Sequence, residues 1–504
     1  MRSTSPSCRS SAGILARSRN AARRHARGAL AVALLAVVAR AQGDPAALDL
    51  PALLGDHAVF QRGEPVEVWG RTRPDVEVRV TASWGHEARS RSAADGWFAL
   101  RVQPADAPGP HELVVAAGGS ERRLRDLWFG DVWLCGGQSN MEWTLGPGVG
   151  PGIADWQAEV AAADDPKIRV FDVPNRASAT PQERCDGAWQ VCTPQTAGKC
   201  SAVAILFARA LRAEIDVPIG LMVSCWGGTR AEAWTPEEDL AALGDFAAGL
   251  EALRAIRAGE PGAKLDQHTP SALWNGMIAP LRRCRLRGVI FYQGESNVGA
   301  PLVYRRLFPA LIGSWRTTFA QPDLPFYYVQ IAPFAYQGVG AARAAFLREA
   351  QAMAMATCAH VGMAVTMDIG DPKDIHPANK QDVARRLALW ALTHAYGRDD
   401  LDPRGPELAG FEVEGSAIRV RLRHAEGLTT RDGAPPRCFM IAGEDRVFHP
   451  AEARIEGETV VVRSASVERP VAVRHGFGAA DVTNLVDGDG LPAGSFRTDD
   501  WPPP

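Results

Sequence analysis

Short runs of alternating apolar and polar residues dominate the chain from about residue 50 to residue 127. Such runs, separated by Gly, Pro and Asp, are Val66–Gly70, Val76–Val80 and Trp97–Val102. Alternation with a period of two is typical of strands that bury one face, and the separating residues favour turns. The pattern predicts a β-rich domain over residues 42–127, packed as a β-sandwich.

The period changes between about residues 131 and 398. Apolar, strand-like runs alternate there with segments whose apolar residues recur every three or four positions. The predicted strands are Val132–Cys135, Ile219–Trp226, Gly288–Gln293, Phe326–Ile331 and Gly362–Met367, and the predicted helices are Ala202–Ala213, Tyr304–Trp315, Ala342–Ala356 and Lys380–His394. This alternation predicts an α/β domain over residues 128–405, with helices on both faces of a parallel sheet.

Strand-like alternation returns after Gly410. It is clearest in the runs Ile418–Leu422, Thr459–Val462 and Val471–Arg474. These runs predict a second β-rich, sandwich-like domain over residues 406–504. A chain of 504 residues is longer than one ordinary domain, which agrees with a division into several parts.

The first 41 residues differ in character from the rest. Basic residues are frequent through Arg27, an apolar run extends from Ala29 to Ala39, and small residues flank Arg40 before Gln42. This order is typical of a signal peptide. The alternative is a membrane anchor, but the run is shorter than the roughly 20 apolar residues that a spanning helix needs. We therefore predict a secreted or periplasmic protein with no membrane span after cleavage.

The composition narrows the class of partner. The chain is 46% hydrophobic, as in globular proteins, and its formal net charge of -3 provides no basic field for nucleic acid. Nucleic-acid binding is therefore not expected. The 11 histidines have no metal-ligand spacing, and the cysteines include no C-x-x-C pair, so no metal site is predicted.

The first candidate for chemistry directly follows the predicted strand Val132–Cys135. It is the run Gly136-Gly137-Gln138-Ser139-Asn140-Met141. Ligands of open α/β sheets bind beyond the carboxyl ends of the strands, and a glycine pair allows a close turn that exposes the next hydroxyl there. Ser139 is therefore a candidate nucleophile. The alternative is that Ser139 only caps the following helix.

The second candidate is Asp374-Ile375-His376-Pro377, which lies between the last predicted strand and the helix from Lys380. A serine nucleophile needs an imidazole to take its proton, and the imidazole needs an acceptor that fixes its tautomer. A nearby carboxylate in the same loop could be that acceptor. The alternative is an acidic residue that stabilises a helix N-terminus.

Two further loops offer donors for an oxyanion hole. Ser224–Thr229 and Tyr292–Asn297 each follow a predicted strand and contain glycines, and the second also carries side-chain amides. Each loop alone is more often just a turn. All four clusters lie at strand ends of one predicted sheet, and this favours a shared active site.

Together these residues resemble the sialate O-acetylesterase family of the SGNH (GDSL-like) hydrolase superfamily. The matching stretches are Gly130–Cys135, Gly137–Glu142, Trp226–Thr229, Trp274–Ile278, Tyr292–Asn297, Asp374–Lys380, Ile441–Asp445 and Gly490–Ala493. The resemblance implies a three-layer, flavodoxin-like α/β domain with flanking β-rich segments. It also implies hydrolysis of acetyl esters on sialic acids or related sugars without a cofactor.

The resemblance implies roles for single residues. Ser139 is the nucleophile and contributes its own N–H to the oxyanion hole, and His376 is the base. Gly228 matches the second oxyanion donor, with Gly227 as the alternative. The superfamily usually takes its third donor from a Gly-x-Asn-Asp block, which is absent here.

In place of that block the chain has Gln293-Gly294-Glu295-Ser296-Asn297. Gln293 is the predicted third donor, and Asn297 is the second choice. The predicted substrate-binding residues are Gln138, Asn140, Trp226, Glu295 and Asn297.

The chain departs from the superfamily at the acid that orients the histidine. An Asp usually stands three residues before the His, but Lys373 occupies that position. Asp374 is the predicted orienter, while Asp371 and Asp368 stay open. If none reaches His376, the site works as a dyad or uses a backbone carbonyl.

Sialic acid is the first expectation for the sugar that carries the acetyl group. An esterase for acetylated xylan or a similar polysaccharide would use the same chemistry in a different groove. A third hypothesis is a non-catalytic glycan-binding protein.

Overall fold

The computed structural model of the protein describes residues 48–338 and 340–502. The predicted signal peptide over residues 1–41 lies outside these residues. Over the described part, no helix is long and apolar enough to cross a bilayer.

The N-terminal part consists of short strands. Their bounds are β1 (Val59–Gln61), β2 (Val66–Arg71), β3 (Glu77–Ala82), β4 (Glu87–Arg91), β5 (Trp97–Val102), β6 (His111–Ala117) and β7 (Ser120–Gly137). β3 buries every second residue, beginning with Val78, because a strand points successive side chains to opposite faces. The alternation in the sequence therefore reflects real strands.

The strand β7 belongs to two parts of the molecule. Its first half pairs with β6, and residues Trp128–Gly130 pair with β1. Its second half, from Asp131 to Gly137, lies in the central sheet of the α/β part. The predicted domain boundary at residue 127 thus falls inside a continuous strand.

The α/β part follows. Its strands are β8 (Asp165–Asp172), β9 (Trp189–Cys192), β10 (Ile219–Cys225), β11 (Gly288–Tyr292), β12 (Phe326–Val329) and β13 (Val361–Ala364). Its helices are α1 (Ser139–Glu142), α2 (Trp156–Ala161), α3 (Pro194–Ala197), α4 (Ala202–Glu214), α5 (Glu237–Leu243), α6 (Ala247–Ala258), α7 (Pro301–Thr318), α8 (Ala341–Thr357) and α9 (Lys380–Tyr396). Shorter helical turns lie at Ala231–Trp234, Trp274–Ile278, Ala279–Leu281 and Glu295–Asn297.

The central sheet has the strand order β13-β12-β11-β7-β10-β8-β9. Every neighbouring pair is parallel except β8 and β9. Along β7, Val132 and Leu134 join a buried cluster that contains residues of α7, while Trp133 and Cys135 join another that contains residues of α4 and α9. Helices therefore cover both faces, and the predicted α/β architecture with additional small sheets is confirmed.

The C-terminal part returns to antiparallel strands. They are β14 (Glu407–Glu414), β15 (Ala417–Arg423), β16 (Thr429–Thr430), β17 (Phe439–Ala442), β18 (Phe448–Pro450), β19 (Glu452–Glu456), β20 (Thr459–Arg463), β21 (Ala472–His475), β22 (Leu485–Val486) and β23 (Phe496–Arg497). Two four-stranded sheets, β14-β15-β20-β19 and β18-β17-β21-β23, contribute side chains to one apolar core.

The three central strands end at the same level. Gly137, the last residue of β7, is paired with Cys225 of β10 and with Tyr292 of β11. The chain segments that leave these strands therefore emerge side by side at one edge of the sheet.

A buried ion pair connects the α9 helix to the loop that follows β13. Arg386 donates two hydrogen bonds to Asp368, at 2.8 and 2.7 Å, and a third to the carbonyl of Val365. The Asp368 side chain is fully buried, and a second arginine, the half-exposed Arg431, lies 2.6 Å from it. A buried carboxylate needs such partners because it has lost its hydration.

Replacement of Arg386 by Met should lower the free energy of unfolding by about 3 kcal/mol, because Asp368 keeps only the weaker Arg431 partner. Chemical denaturation monitored by fluorescence measures this change. The control is Arg385→Met, which removes an exposed arginine one residue away and should cost less than about 1 kcal/mol. Equal losses in the two variants would contradict the prediction.

Candidate active site

Ser139 is the first helical residue of α1 and follows directly after Gln138, which separates β7 from this helix. The preceding Gly137 has a φ of 138°, and a Cβ there would lie 2.1 Å from the carbonyl oxygen of Tyr292. Only glycine fits this position, since any side chain would collide with the adjacent strand. The glycine pair therefore allows the tight turn that places Ser139 at the centre of the sheet edge.

His376 reaches Ser139 from the loop between β13 and α9. Its Nε2 atom lies 2.9 Å from the Oγ atom of Ser139, which is hydrogen-bond distance. The imidazole stacks on the indole of Trp143, with ring centroids 4.4 Å apart and an interplanar angle of 24°. The two residues lie 237 positions apart in the chain, and the fold brings them together.

Asp374 lies beside His376 without a direct hydrogen bond to its ring. Oδ1 of Asp374 is 3.5 Å from Nδ1 of His376, and the same oxygen accepts the backbone N–H of His376 at 2.9 Å. The carboxylate is more than half exposed. Its effect on the imidazole is therefore that of a nearby, partly screened charge.

The other two candidate aspartates have different partners. Asp368 is held by Arg386 and Arg431, as described above. Asp371 accepts the backbone N–H of Lys373 at 2.8 Å. Of the three, only Asp374 has an ion-pair contact with His376 in the described part of the chain.

Burial is the main influence on the imidazole. It lowers the pKa of His376 below the usual value, and the positive charge of Lys380 adds to this effect, while Asp374 opposes it. His376 is therefore mostly neutral at neutral pH and can accept a proton.

Two residues of the cleft wall, Ser139 and Gly228, have backbone N–H groups that are candidates for an oxyanion hole. Within the described residues, neither the N–H of Ser139 nor that of Gly228 has a hydrogen-bond partner. Gly228 has a φ of 74° and is exposed in the cleft. By contrast, the N–H of Gly227 donates to Oε2 of Glu142 at 2.6 Å. The geometry thus favours Gly228 over Gly227 as an anion-binding donor.

Gln293 has no donor left for an oxyanion. Its Nε2 donates to the carbonyl of Thr229 at 3.2 Å and to Oδ1 of Asn297 at 2.7 Å, and its Oε1 accepts the hydroxyl of Tyr304. The side chain is buried and absent from the cleft wall. The geometry therefore does not favour the prediction of Gln293 as third donor.

The side-chain amide of Asn297 is likewise hydrogen-bonded to other protein groups. Its Oδ1 accepts from Gln293 and from the N–H of Ala231, and its Nδ2 donates to Glu232 at 2.9 Å. Asn297 also does not line the cleft, so the geometry does not favour it as an oxyanion donor or as a substrate contact.

Asn140 is fully buried and supports three segments of the site. Its Nδ2 donates to Oε1 of Glu295 at 2.6 Å and to the carbonyl of Ile375 at 3.0 Å, and its Oδ1 accepts from the Lys380 ammonium. The geometry does not favour the prediction that Asn140 binds substrate, because every polar group of the side chain already has a protein partner.

Lys380 is the first residue of α9 and is completely buried. Burial lowers its pKa to about 7, against the opposing charges of Glu295 and Asp374. Burial likewise raises the pKa of Glu295, while Asn140 and Lys380 lower it. These shifts show that both groups are held where charge is costly.

The remaining predicted contacts divide between the cleft and the core. Gln138 lines the cleft, and its Oε1 accepts the N–H groups of Gly294 and Ser296 at 3.4 and 3.3 Å. Glu295 also lines the cleft. The half-buried Trp226 packs against the apolar core and does not line the cleft wall.

The cleft has a volume of about 520 Å³. Ser139 and His376 lie in its wall together with Glu142, Trp143, Val149, Ser296, Tyr336 and Ile375. Glu142 and Trp143 continue the motif around Ser139 in the sequence, whereas Tyr336 lies in a loop after β12 that no motif marks. No group of three or more His, Cys, Asp or Glu side chains in the described residues is arranged to hold a metal ion.

Comparison with known proteins agrees with this chemistry. A family model described as carbohydrate esterase, sialic acid-specific acetylesterase, matches residues 129–388. The human sialate O-acetylesterase is 33% identical over 376 residues, which cover 67% of this chain and 69% of the human protein. The rat sialate O-acetylesterase is 29% identical over 433 residues, 74% of this chain and 78% of that protein.

A solved structure is similar over most of the molecule. The crystal structure of a carbohydrate acetylesterase from Xanthomonas citri superposes with a TM-score of 0.81 and 39% identity, and covers 90% of this chain and 100% of that one. The resemblance predicted from the sequence motifs is thus confirmed. The chain belongs to the carbohydrate esterase family of sialic acid-specific acetylesterases and is a sugar acetylesterase.

Proposed function

We propose that the protein removes O-acetyl groups from sugars by serine nucleophilic catalysis, with Ser139 as nucleophile and His376 as general base. The contact of 2.9 Å between His376 Nε2 and Ser139 Oγ carries the proposal. A serine hydroxyl becomes a useful nucleophile when an adjacent neutral base can take its proton. The lowered pKa of His376 keeps that base neutral.

The reaction proceeds in two balanced halves. Ser139 Oγ attacks the acetyl carbonyl while its proton passes to His376, and the N–H groups of Ser139 and Gly228 stabilise the oxyanion. The intermediate collapses to acetyl-Ser139, and the departing sugar oxygen takes the proton from His376. Water, deprotonated by His376, then attacks the acetyl group. The proton returns to Ser139 as acetate leaves.

The strand order supports an SGNH-type, flavodoxin-like catalytic domain. The strands β10-β7-β11-β12-β13 have the 2-1-3-4-5 order of doubly wound folds, with β8 and β9 added beyond β10. The packing of two antiparallel sheets around one core supports a sandwich-like C-terminal segment.

The sugar that carries the acetyl group has two candidates. The human and rat relatives are named for sialate, an anionic sugar. The Xanthomonas citri relative is named only for carbohydrate, which leaves an acetylated neutral polysaccharide as the second candidate. A non-catalytic glycan-binding role is disfavoured, since it gives no reason for a serine hydroxyl at hydrogen-bond distance from a neutral imidazole.

Ser139→Ala and His376→Ala should each lower kcat for acetate release by about 10⁴-fold or more, because the nucleophile and its base act as a unit. Release of acetate from 4-nitrophenyl acetate and from acetylated sugars measures the loss. Ser466→Ala, at an exposed serine of the C-terminal part, is the matched control and should retain wild-type turnover. Full activity of Ser139→Ala would exclude the mechanism.

The acid limb of the kcat/KM profile should have its midpoint below pH 6.5. His376 must be neutral to act, and burial holds its pKa below the ordinary value of 6.5. Activity therefore rises with pH through the lowered pKa and is lost only at lower pH. In Asp374→Asn the limb should move to still lower pH, because the carboxylate favours the charged imidazole. A midpoint above 6.5 in the wild type would contradict this.

We also propose that the protein is exported and cleaved before Gln42. The basic start, the apolar run and the small residues around Arg40 support this. Expression of the full gene followed by N-terminal sequencing of the protein outside the cytoplasm should yield Gln42 as the first residue. Recovery of the intact N-terminus in the cytoplasm would refute it.

A further inference from the structure

We propose that the cleft around Ser139 selects uncharged O-acetylated sugars over O-acetylated sugars that carry a carboxylate, and that Glu142 contributes most to this selection. The inference rests on the proposed function, since it assigns a substrate class to the same site. The inference is based on the charge of the cleft wall and on the polar groups of the wall that have no protein partner among the described residues.

The cleft wall contains two carboxylates and no lysine or arginine among the described residues. The carboxylates are Glu142 and Glu295. The one basic side chain in the wall is His376, whose lowered pKa leaves it mostly neutral. A sugar carboxylate in this cleft would therefore meet negative charge without a fixed cation to neutralise it.

Of the two nearest lysines, Lys380 offsets the charge of the buried Glu295, and neither lysine forms an ion pair with Glu142 within the described residues. Lys380 is fully buried behind Asn140, to which its ammonium is hydrogen-bonded. Lys373 is exposed in the loop before His376 and does not line the cleft. Neither offers an ammonium group at the cleft surface.

The carboxylate of Glu142 lies next to Ser139 in the cleft wall. Its Oε2 accepts the N–H of Gly227 at 2.6 Å, and its Oε1 accepts from Asn175 at 3.1 Å. A Cβ placed on Gly227 would lie 2.8 Å from that Oε2 and 3.2 Å from the Cβ of Ser139. Both contacts of Glu142 are with neutral donors, so its charge stays uncompensated beside the reacting atoms.

The same wall offers groups that suit sugar hydroxyls. The Tyr336 hydroxyl and Oε2 of Glu295 are buried in the wall and lack a hydrogen-bond partner within the described residues. A hydroxyl can donate to a carboxylate and accept from a phenol, whereas an ionised carboxylate can only accept. A sugar hydroxyl can therefore satisfy both groups, whereas a sugar carboxylate at the same place could accept from Tyr336 but not donate to Glu295.

The test compares two pairs of substrates, and within each pair one uncharged group replaces the carboxylate. One pair is methyl 3-O-acetyl-glucopyranoside and the corresponding glucuronide, and the other is the carboxamide and the free acid of 9-O-acetylated N-acetylneuraminic acid. The wild-type kcat/KM should favour the uncharged member of each pair by about tenfold, as expected for one unpaired charge within several ångströms of another. Raising the salt from about 0.1 M to about 1 M should narrow the gap, because the Debye length falls to about 3 Å.

Glu142→Gln keeps an oxygen for Gly227 and removes the charge. It should reduce the preference for the uncharged sugar several-fold at low salt, and the variant should lose most of its salt dependence. Glu458→Gln, in the exposed turn between β19 and β20, removes one charge far from the cleft and should leave the ratio unchanged.

The possible failures are distinguishable. Equal or faster hydrolysis of the anionic members by the wild type would overturn the inference, as would an unchanged ratio in Glu142→Gln. If Glu142→Gln fails to fold, the salt dependence of the wild-type ratio decides. Hydrolysis of uncharged 4-nitrophenyl acetate that is lost in Ser139→Ala upholds the proposed function in all these cases. Its persistence in Ser139→Ala would instead mean that the proposed function itself has failed.

Discussion

The buried contact of Lys380 with Asn140 is the interaction on which the site depends. Removal of an ammonium group from water costs several kcal/mol unless protein oxygens replace its hydration shell. Here the Asn140 carbonyl accepts from Lys380, and Glu295 supplies the balancing charge. Asn140 also holds Glu295 and the carbonyl of Ile375. Asn140, which follows Ser139, is therefore tied to Ile375, which precedes His376, and this restricts the distance between Ser139 and His376.

A second constraint is the shared level at which the central strands end. Because Gly137 is paired with Cys225 and Tyr292, the three loops that follow these strands begin at the same level of the sheet. The three loops contribute different groups to the cleft. The segment after β7 carries Ser139, the segment after β10 carries Gly228, whose N–H has no partner among the described residues, and the segment after β11 supplies hydrogen bonds that hold the other two. The cleft is thus built on rigid strand ends, as precise catalytic geometry requires.

Electrostatics of the cleft follow from the same arrangement. Glu142 stabilises the Gly227 turn by accepting its N–H, while the next amide, that of Gly228, has no partner among the described residues. In the proposed mechanism Gly228 is an oxyanion donor, and in the proposed substrate selection Glu142 is the charge that an incoming sugar meets. The two proposals therefore depend on the same carboxylate.

The amino-acid sequence by itself determined the alternation of strands and helices, and it singled out Ser139 and His376, which the fold brings within 2.9 Å of each other. This was possible because apolar periodicity is local, and because parallel strands must carry their following loops to one edge. Only the tertiary structure decided which amide and carboxylate side chains line the cleft and which hold the surrounding loops together. Gln293, Asn297 and Asn140 have the chemistry of ligand-binding residues, yet their partners are loops more than sixty residues away as well as near neighbours. A side-chain amide serves the substrate or the scaffold according to which loops pack against it, and packing between distant segments is not encoded in any short motif.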